Sequence, residues 1–161
     1  RDILRMEGPF GSFFLREESP KPIVLLASGT GYAPIKALIE QLIFKRSDRP
    51  VVLYWGCRTR ADLYQHEAAL ELARELPQLR YVPALSEALP SDHWTGRTGF
   101  VHEAVMADLP DLSGHQVYAC GTPAMVDAAR RDFVERCGLP QDEFHADAFY
   151  SATDRATLAR S

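Results

Sequence analysis

The sequence predicts an α/β domain built on a doubly wound, five-stranded parallel sheet with helices on both faces. Three observations carry that expectation. Short β-rich runs alternate with helical patterns along most of the chain, without any internal repeat. One run, Ile23-Val24-Leu25-Leu26-Ala27, is continuously apolar, as a strand covered on both faces must be. The segment after it places Ile35, Leu38, Ile39, Leu42 and Ile43 on one helical face.

The remaining elements follow in the same rhythm. Val51 to Trp55 reads as the second strand, and the helix after it carries Ala69, Leu72, Ala73 and Leu76 at i, i+3, i+4 and i+7. Leu79 to Leu85 is the third strand, and Thr98 to Leu109 a short helix. His115 to Ala119 is the fourth strand. Pro123 to Cys137 is a helix closed by Gly138 and Pro140, where stop signals belong. Glu143 to Phe149 is the fifth strand. Residues 1–20 stay outside this rhythm: Gly8-Pro9-Phe10-Gly11 is a turn and Ser12 to Leu15 a short apolar piece before Pro20 and Pro22. They read as the trailing end of a preceding domain, with residues 21–161 as the main unit.

Composition narrows the function. Of 161 residues, 46% are hydrophobic and 25% charged, enough to build a sizeable core and far from a disordered chain. A formal charge of −4 and a pI near 5.7 give no footprint for nucleic acid or an anionic membrane. The densest basic pair, Arg130-Arg131, fits a solvated helix face, and no apolar run approaches membrane-spanning length. The chain opens with Arg1 and carries no signal peptide, which predicts a fragment or processed product. Cys57, Cys120 and Cys137 are scattered without a C-x-x-C, so neither a disulfide framework nor structural zinc is expected, and a cytoplasmic setting is the default.

Sheets of this class bind ligands beyond the carboxyl ends of their strands, where strand order reverses. Ser28-Gly29-Thr30-Gly31-Tyr32-Ala33-Pro34 occupies that place after the first strand and opens a helix. Its glycines permit a tight turn and close approach of backbone N–H groups to a phosphate, Thr30 adds a hydroxyl, and Pro34 suits a first helical turn. The helix amino end offers partial positive charge to a pyrophosphate. A P-loop is excluded because no G-x-x-x-x-G-K-[ST] occurs. The usual dehydrogenase fingerprint is broken too: Pro34 stands at the third glycine, and Trp55-Gly56-Cys57-Arg58 ends the second strand without an acid for a ribose hydroxyl. His66-Glu67 and His102-Glu103 begin a zincin motif that Leu70 and Met106 do not complete, and no G-x-S-x-G is present. His145 reads as a satisfied histidine, and Cys137, at helical spacing from Phe133 and Ala129, as core.

Taken in order, G-T-G-x-x-P after the first strand, Tyr54-Trp55-Gly56-Cys57-Arg58 after the second and Cys120-Gly121-Thr122-Pro123 after the fourth resemble the ferredoxin–NADP reductase family. The likeness is to its C-terminal NAD(P)-binding domain and covers nearly the whole chain. Phe144-His145-Ala146-Asp147-Ala148-Phe149 is similar to the family's closing strand, and Gly8-Pro9-Phe10-Gly11 to the end of its flavin barrel. The Y-W-G-x-R pattern with Leu63-Tyr64 looks most like flavin reductases and CDP-6-deoxy-hexoseen reductases, with oxygenase reductase components nearby.

The resemblance implies strand order 3-2-1-4-5 and hydride transfer from NAD(P)H to FAD, then onward to an iron–sulfur centre or partner enzyme. The flavin barrel's R-x-Y-S and a [2Fe–2S] cysteine run are absent from these residues. A flavin-binding domain in cis is therefore implied, with a ferredoxin-type domain or an oxygenase or dehydratase as partner. Ser28, Gly29, Thr30, Gly31, Pro34, Trp55, Gly56, Arg58, Arg60, Cys120, Gly121, Thr122, Met125 and Phe149 are the implied cofactor-binding residues. Cys120 beside the nicotinamide and Asp147 near the flavin's reactive nitrogen are the implied catalytic pair. Cys57 falls in the loop expected to face the adenosine, where Arg58 and Arg60 can stack on adenine or meet a 2′-phosphate. NADH with tolerance of NADPH is the expected preference. The alternative is a standalone dinucleotide-binding or regulatory module without redox activity.

Overall fold

A computed structural model describes residues 12–149. The turn at Gly8-Pro9-Phe10-Gly11 and the tail from Tyr150 onward therefore lie outside the described residues. Strands β1 (Ile23–Ser28), β2 (Val51–Cys57), β3 (Leu79–Leu85), β4 (Arg97–Thr98), β5 (Gln116–Gly121) and β6 (Phe144–Ala148) form one sheet in the order β4-β3-β2-β1-β5-β6. Every pairing is parallel. Helices α1 (Tyr32–Phe44), α2 (His66–Glu75), α3 (Val101–Asp108) and α4 (Pro123–Cys137) connect the strands.

Side chains alternate along each strand, so every inner strand feeds two cores. Leu25, Ala27, Leu53, Trp55, Tyr118 and Cys120 point to the face covered by Ile35, Leu38, Ile39 and Leu42 of α1 and Ala69 of α2. Val24, Leu26, Tyr54, Val117 and Ala119 point to the opposite face, under Val101 and Val105 of α3 and Val126, Ala129 and Phe133 of α4. Burial on both sides explains why Ile23–Ala27 of β1 are all apolar rather than alternately so. Gly56 marks one close approach: a Cβ there would lie 2.6 Å from Val101 Cβ, so the lack of a side chain lets α3 sit against β2.

The sheet has six strands, one more than the sequence reading expects. The addition is β4, two exposed residues at the edge, taken from the stretch read as loop and helix start. Two residues carry no periodicity, and their position comes from bonds to distant partners. Gly99 N–H donates to Leu85 O (2.9 Å), Trp94 Nε1–H to Arg97 O (2.8 Å), and the Arg97 guanidinium pairs with Asp108 at the end of α3. Helix α3 accordingly starts at Val101 rather than Thr98. The expected fourth and fifth strands are β5 and β6. β2 and β5 each run two residues further than expected, to Cys57 and Gly121.

The switch in strand order falls between β1 and β5. From β1 the chain steps outward through β2, β3 and β4, then returns to lay β5 on the other side of β1. Register pairs Ala27 with Cys120, and Cys120 in turn with Asp147. The carboxyl ends of β1, β5 and β6 thus form one rim.

Candidate functional site

At the end of β1 the chain makes a short 3-10 turn, Gly29–Gly31, and enters α1. Gly29 has φ +51°, a left-handed conformation that costs a residue with a Cβ, and its α-hydrogens face open space. The first N–H groups of a helix lack intrahelical partners, and Pro34, third in α1, has no N–H to satisfy. An uncrowded glycine turn at the start of a helix suits an anionic group.

Gly31 has a different reason to be glycine. Its φ of −59° is ordinary, but a Cβ would fall on the carbonyl oxygen of Cys120 in the neighbouring strand. Gly121 answers from the other side, at φ +153°, with Ser28 Oγ occupying the space a side chain would need. Ser28 Oγ accepts the Thr122 N–H (3.1 Å). The turns after β1 and β5 therefore interlock. Thr122 caps α4, its hydroxyl accepting the N–H of Met125 (3.4 Å), while Met125 itself packs into the second core.

Trp55 braces the turn from beneath. It is fully buried, stacks on Tyr32 at 4.0 Å, and donates Nε1–H to Gly29 O (3.0 Å). Tyr64 stands edge-on to Trp55 at 5.3 Å, is half exposed, and lines a cavity of about 470 Å³ with Lys36, Arg60, Gln65, His66 and Glu67. Lys36 and the ring of Tyr64 are contributions that motif reading leaves unassigned; the Leu63-Tyr64 pair is the sequence signal that marks the latter.

The two arginines after β2 are each held by a carboxylate. Arg58 makes a two-pronged pair with Glu87 (both contacts 3.0 Å), and Arg60 meets Glu67 at 3.1 Å. The acid missing from the end of β2 thus arrives from the loop after β3. Cys57 is the last residue of β2 rather than part of the loop: it is buried, donates S–H to Asp62 O (3.4 Å), and burial pushes its thiol up to about 11.

Cys120 ends the inner part of β5 fully buried, and burial, with a smaller contribution from the charge of Asp147, pushes its thiol up to about 12. It is a neutral thiol at physiological pH. Asp147, its register partner on β6, is exposed. Phe149 lies just beyond β6, its N–H bonded to Gly121 O (2.8 Å) and its ring 39% exposed. His145 differs from expectation: its Nε2 is buried without a hydrogen-bond partner among the described residues, and burial lowers its pKa. His66 bonds Tyr81 OH (3.0 Å) and His102 lies 3.5 Å from Asp132, so each has a local structural partner. Cys137 is buried in the second core, as its spacing suggests.

The doubly wound parallel sheet, with a glycine turn that opens a helix where strand order reverses, defines a nucleotide-binding domain. Residues 25–131 match the oxidoreductase NAD-binding domain family, and the chain belongs to it as the NAD(P)H-binding domain of ferredoxin–NADP reductase-like proteins. It is 48% identical over 149 residues to the CDP-6-deoxy-L-threo-D-glycero-4-hexulose-3-dehydrase reductase of Yersinia pestis, covering 92% of this chain and 44% of that protein. The NAD(P)H-flavin reductase of Vibrio harveyi is 32% identical over 146 residues, 91% of this chain and 61% of its own length. Among solved structures, an Amycolatopsis cytochrome P450 reductase superposes with a TM-score of 0.80 at 36% identity, covering 90% of this chain and 43% of that one. The chain thus spans about half the length of these relatives. No helix among the described residues is long and apolar enough to cross a membrane.

Two outcomes are expected. Gly31→Ala should unfold at markedly lower urea concentration than Gly29→Ala. The first meets backbone it cannot displace, whereas the second adds left-handed strain of about 1–2 kcal/mol with room to spare. Equal midpoints would remove the interlock as the reason for Gly31. The raised thiol also gives an alkaline dependence. An unfolded thiol ionises near 9.0 and folded Cys120 near about 12, so its stabilisation is complete below pH 9 and is lost as pH rises through that window. Unfolding measured between pH 8 and about pH 10 should show stability falling, and Cys120→Ala should lessen the fall, to which the raised Cys57 thiol also contributes.

Proposed function

We propose that this chain is the dinucleotide-binding part of a flavin-dependent reductase, delivering reducing equivalents from NAD(P)H to FAD held on a domain in cis. The observation that supports the reading is the interlock of the β1 and β5 turns, which sets the open Gly29 turn next to the end of β5, where Cys120 has Asp147 of β6 as its register partner. The fit to a dinucleotide rests on this chain's own features. The Gly29 turn and the amino end of α1 offer N–H donors to a pyrophosphate, and the cavity beside Tyr64 offers an aromatic face and cations to an adenosine. When bound, NAD(P)H supplies the hydride that the flavin takes up.

The chain's contribution is placement and charge. Cys120 supplies a small neutral thiol at the end of β5, and Asp147 a carboxylate on the exposed rim, where it can stabilise positive charge developing on the nicotinamide. Gly121 and Thr122 hold the turn between them, and Phe149 presents an aromatic edge. Onward transfer to an iron–sulfur centre, a ferredoxin-type domain, or an oxygenase or dehydratase partner is supported by the names of the relatives, whose acceptors differ. Free cysteines among the described residues are in keeping with a reducing, cytoplasmic setting.

The same geometry supports NADH as the preferred donor. Arg58 is one of two arginines after β2 that can meet a 2′-phosphate, and Glu87 holds its guanidinium with both carboxylate oxygens.

Anaerobic mixing of the full-length flavoprotein with NADH tests the reading. Asp147→Ala should slow flavin reduction by about a hundredfold, and Cys120→Ala by about tenfold, with dinucleotide affinity within about twofold of wild type. Unchanged reduction rates would remove both residues from the chemistry, and an unreactive flavin would favour a binding module. Calorimetry on Glu87→Gln should show NADPH gaining on NADH by about two- to fivefold, the scale of one exposed ion pair. A constant ratio would exclude the Arg58–Glu87 pair as the selector.

A further inference from the structure

Residues 13–22 lead into β1, and 13–20 of them fall in the segment expected from sequence to be the trailing end of a preceding domain. Their contacts are those of a built-in part. Leu15 is buried in the first core, and the ring of Phe13 meets Tyr118 edge-on at 6.2 Å. Glu17 is tied to α1 through Lys45 (3.2 Å) and Gln41 (2.7 Å), and Lys21 to Glu143 ahead of β6 (2.6 Å).

At the centre is Arg49, just before β2 and only 7% exposed. It donates Nε–H to Lys21 O (2.8 Å), Nη1–H to Arg16 O (3.0 Å) and Nη2–H to Gln116 Oε1 (2.7 Å). The Arg16 N–H donates to Tyr118 OH (2.8 Å), which donates to the same Gln116 oxygen (3.2 Å). A planar guanidinium offers its donors in fixed directions, so two carbonyls of the incoming segment and one amide of β5 are set in register by a single group. Bonding a buried cation to neutral acceptors serves geometry rather than charge pairing.

We propose that residues 13–22 form a rigid strut and that Arg49 is a positioning residue, setting the angle at which the upstream flavin-binding part meets the β1/β5 rim. This rests on the flavin-reductase reading given above. The strut is fastened to the first half of β5, at Gln116 and Tyr118, and the same strand carries Cys120 one residue before its end. One straight element therefore relates the incoming chain to the point where the donor ring must lie. Hydride transfer falls steeply when two reactants are misplaced by an ångström, while binding to either partner alone does not.

The experiment uses the full-length flavoprotein. Wild type, Arg49→Lys and Gln116→Leu are mixed anaerobically with NADH at several concentrations to separate the reduction rate constant from Kd. Limited trypsin digestion reports cleavage after Arg16. Arg49→Lys keeps the charge and loses the fork; Gln116→Leu keeps the guanidinium and removes one acceptor, which serves if the lysine variant does not fold. The expected result is a reduction rate lowered by about tenfold, Kd within about twofold, and faster cleavage at Arg16. Faster cleavage with an unchanged rate would overturn the proposal, as would a rate and Kd that worsen together, since either makes Arg49 a general stabiliser. Failure of the wild-type flavin to accept electrons from NADH would instead refute the reductase reading and leave the strut's anchoring measurable by proteolysis.

Discussion

β1 and β5 lie side by side with their turns in contact because neither turn carries a side chain at its crossing point. Gly31 admits the Cys120 carbonyl, and Gly121 admits the Ser28 hydroxyl. Much else at the rim depends on that double contact. It brings the glycine turn, Cys120 and, through β6, Asp147 to one end of the sheet. It also leaves Ser28 Oγ where the Thr122 N–H can reach it, so the start of α4 is tied to the end of β1. Backbone packed on backbone is stiff, which suits a site whose task is to hold rather than to react.

Around this rim, aromatic side chains perform the support that a third glycine and a tighter helix give in other dinucleotide folds. Trp55 stacks on Tyr32 and donates to Gly29, fixing the turn from the core side. Fully buried as it is, Trp55 bears on the turn only from the core side. Tyr64 presents the face left to solvent. The two arginines after β2 are already committed to carboxylates, Arg58 to Glu87 and Arg60 to Glu67.

The opposite, amino-terminal end of the sheet is built on different physics. Arg49, Gln116 and Tyr118 make a buried polar network whose donors are matched to specific carbonyls of the incoming chain. At the sheet edge, Asp108 collects Arg80, Arg97 and the hydroxyl of Tyr54 and so fastens β3, β4 and α3 together. Such networks specify one arrangement, because any other leaves buried polar groups without partners. The domain is thus rigid at both ends of its strands, for separate reasons.

Local information was enough for the main elements. Two-sided burial made β1 legible as an unbroken apolar run, and Gly138 with Pro140 marked the end of α4 at the observed residue. The glycine turn, the Cys120 motif and the closing-strand acid were legible as well, because each is a short pattern at a strand end. Their shared rim follows from the reversal of strand order, which brings β1 beside β5 though Ser28 and Thr122 are 94 residues apart. Strand β4 was not legible: two residues have no period, and they are held by Leu85, Trp94 and Asp108. Nor was the reason for Gly31, which reads locally as room for a phosphate and structurally as room for a carbonyl. Arg49 looks like any loop arginine until Lys21, Arg16 and Gln116 close around it. The sequence by itself determined the five longer strands and the four helices, since these depend on neighbours within a few residues. Only the tertiary structure decided which ends meet and which charges cancel, because those depend on contacts between residues far apart in the chain.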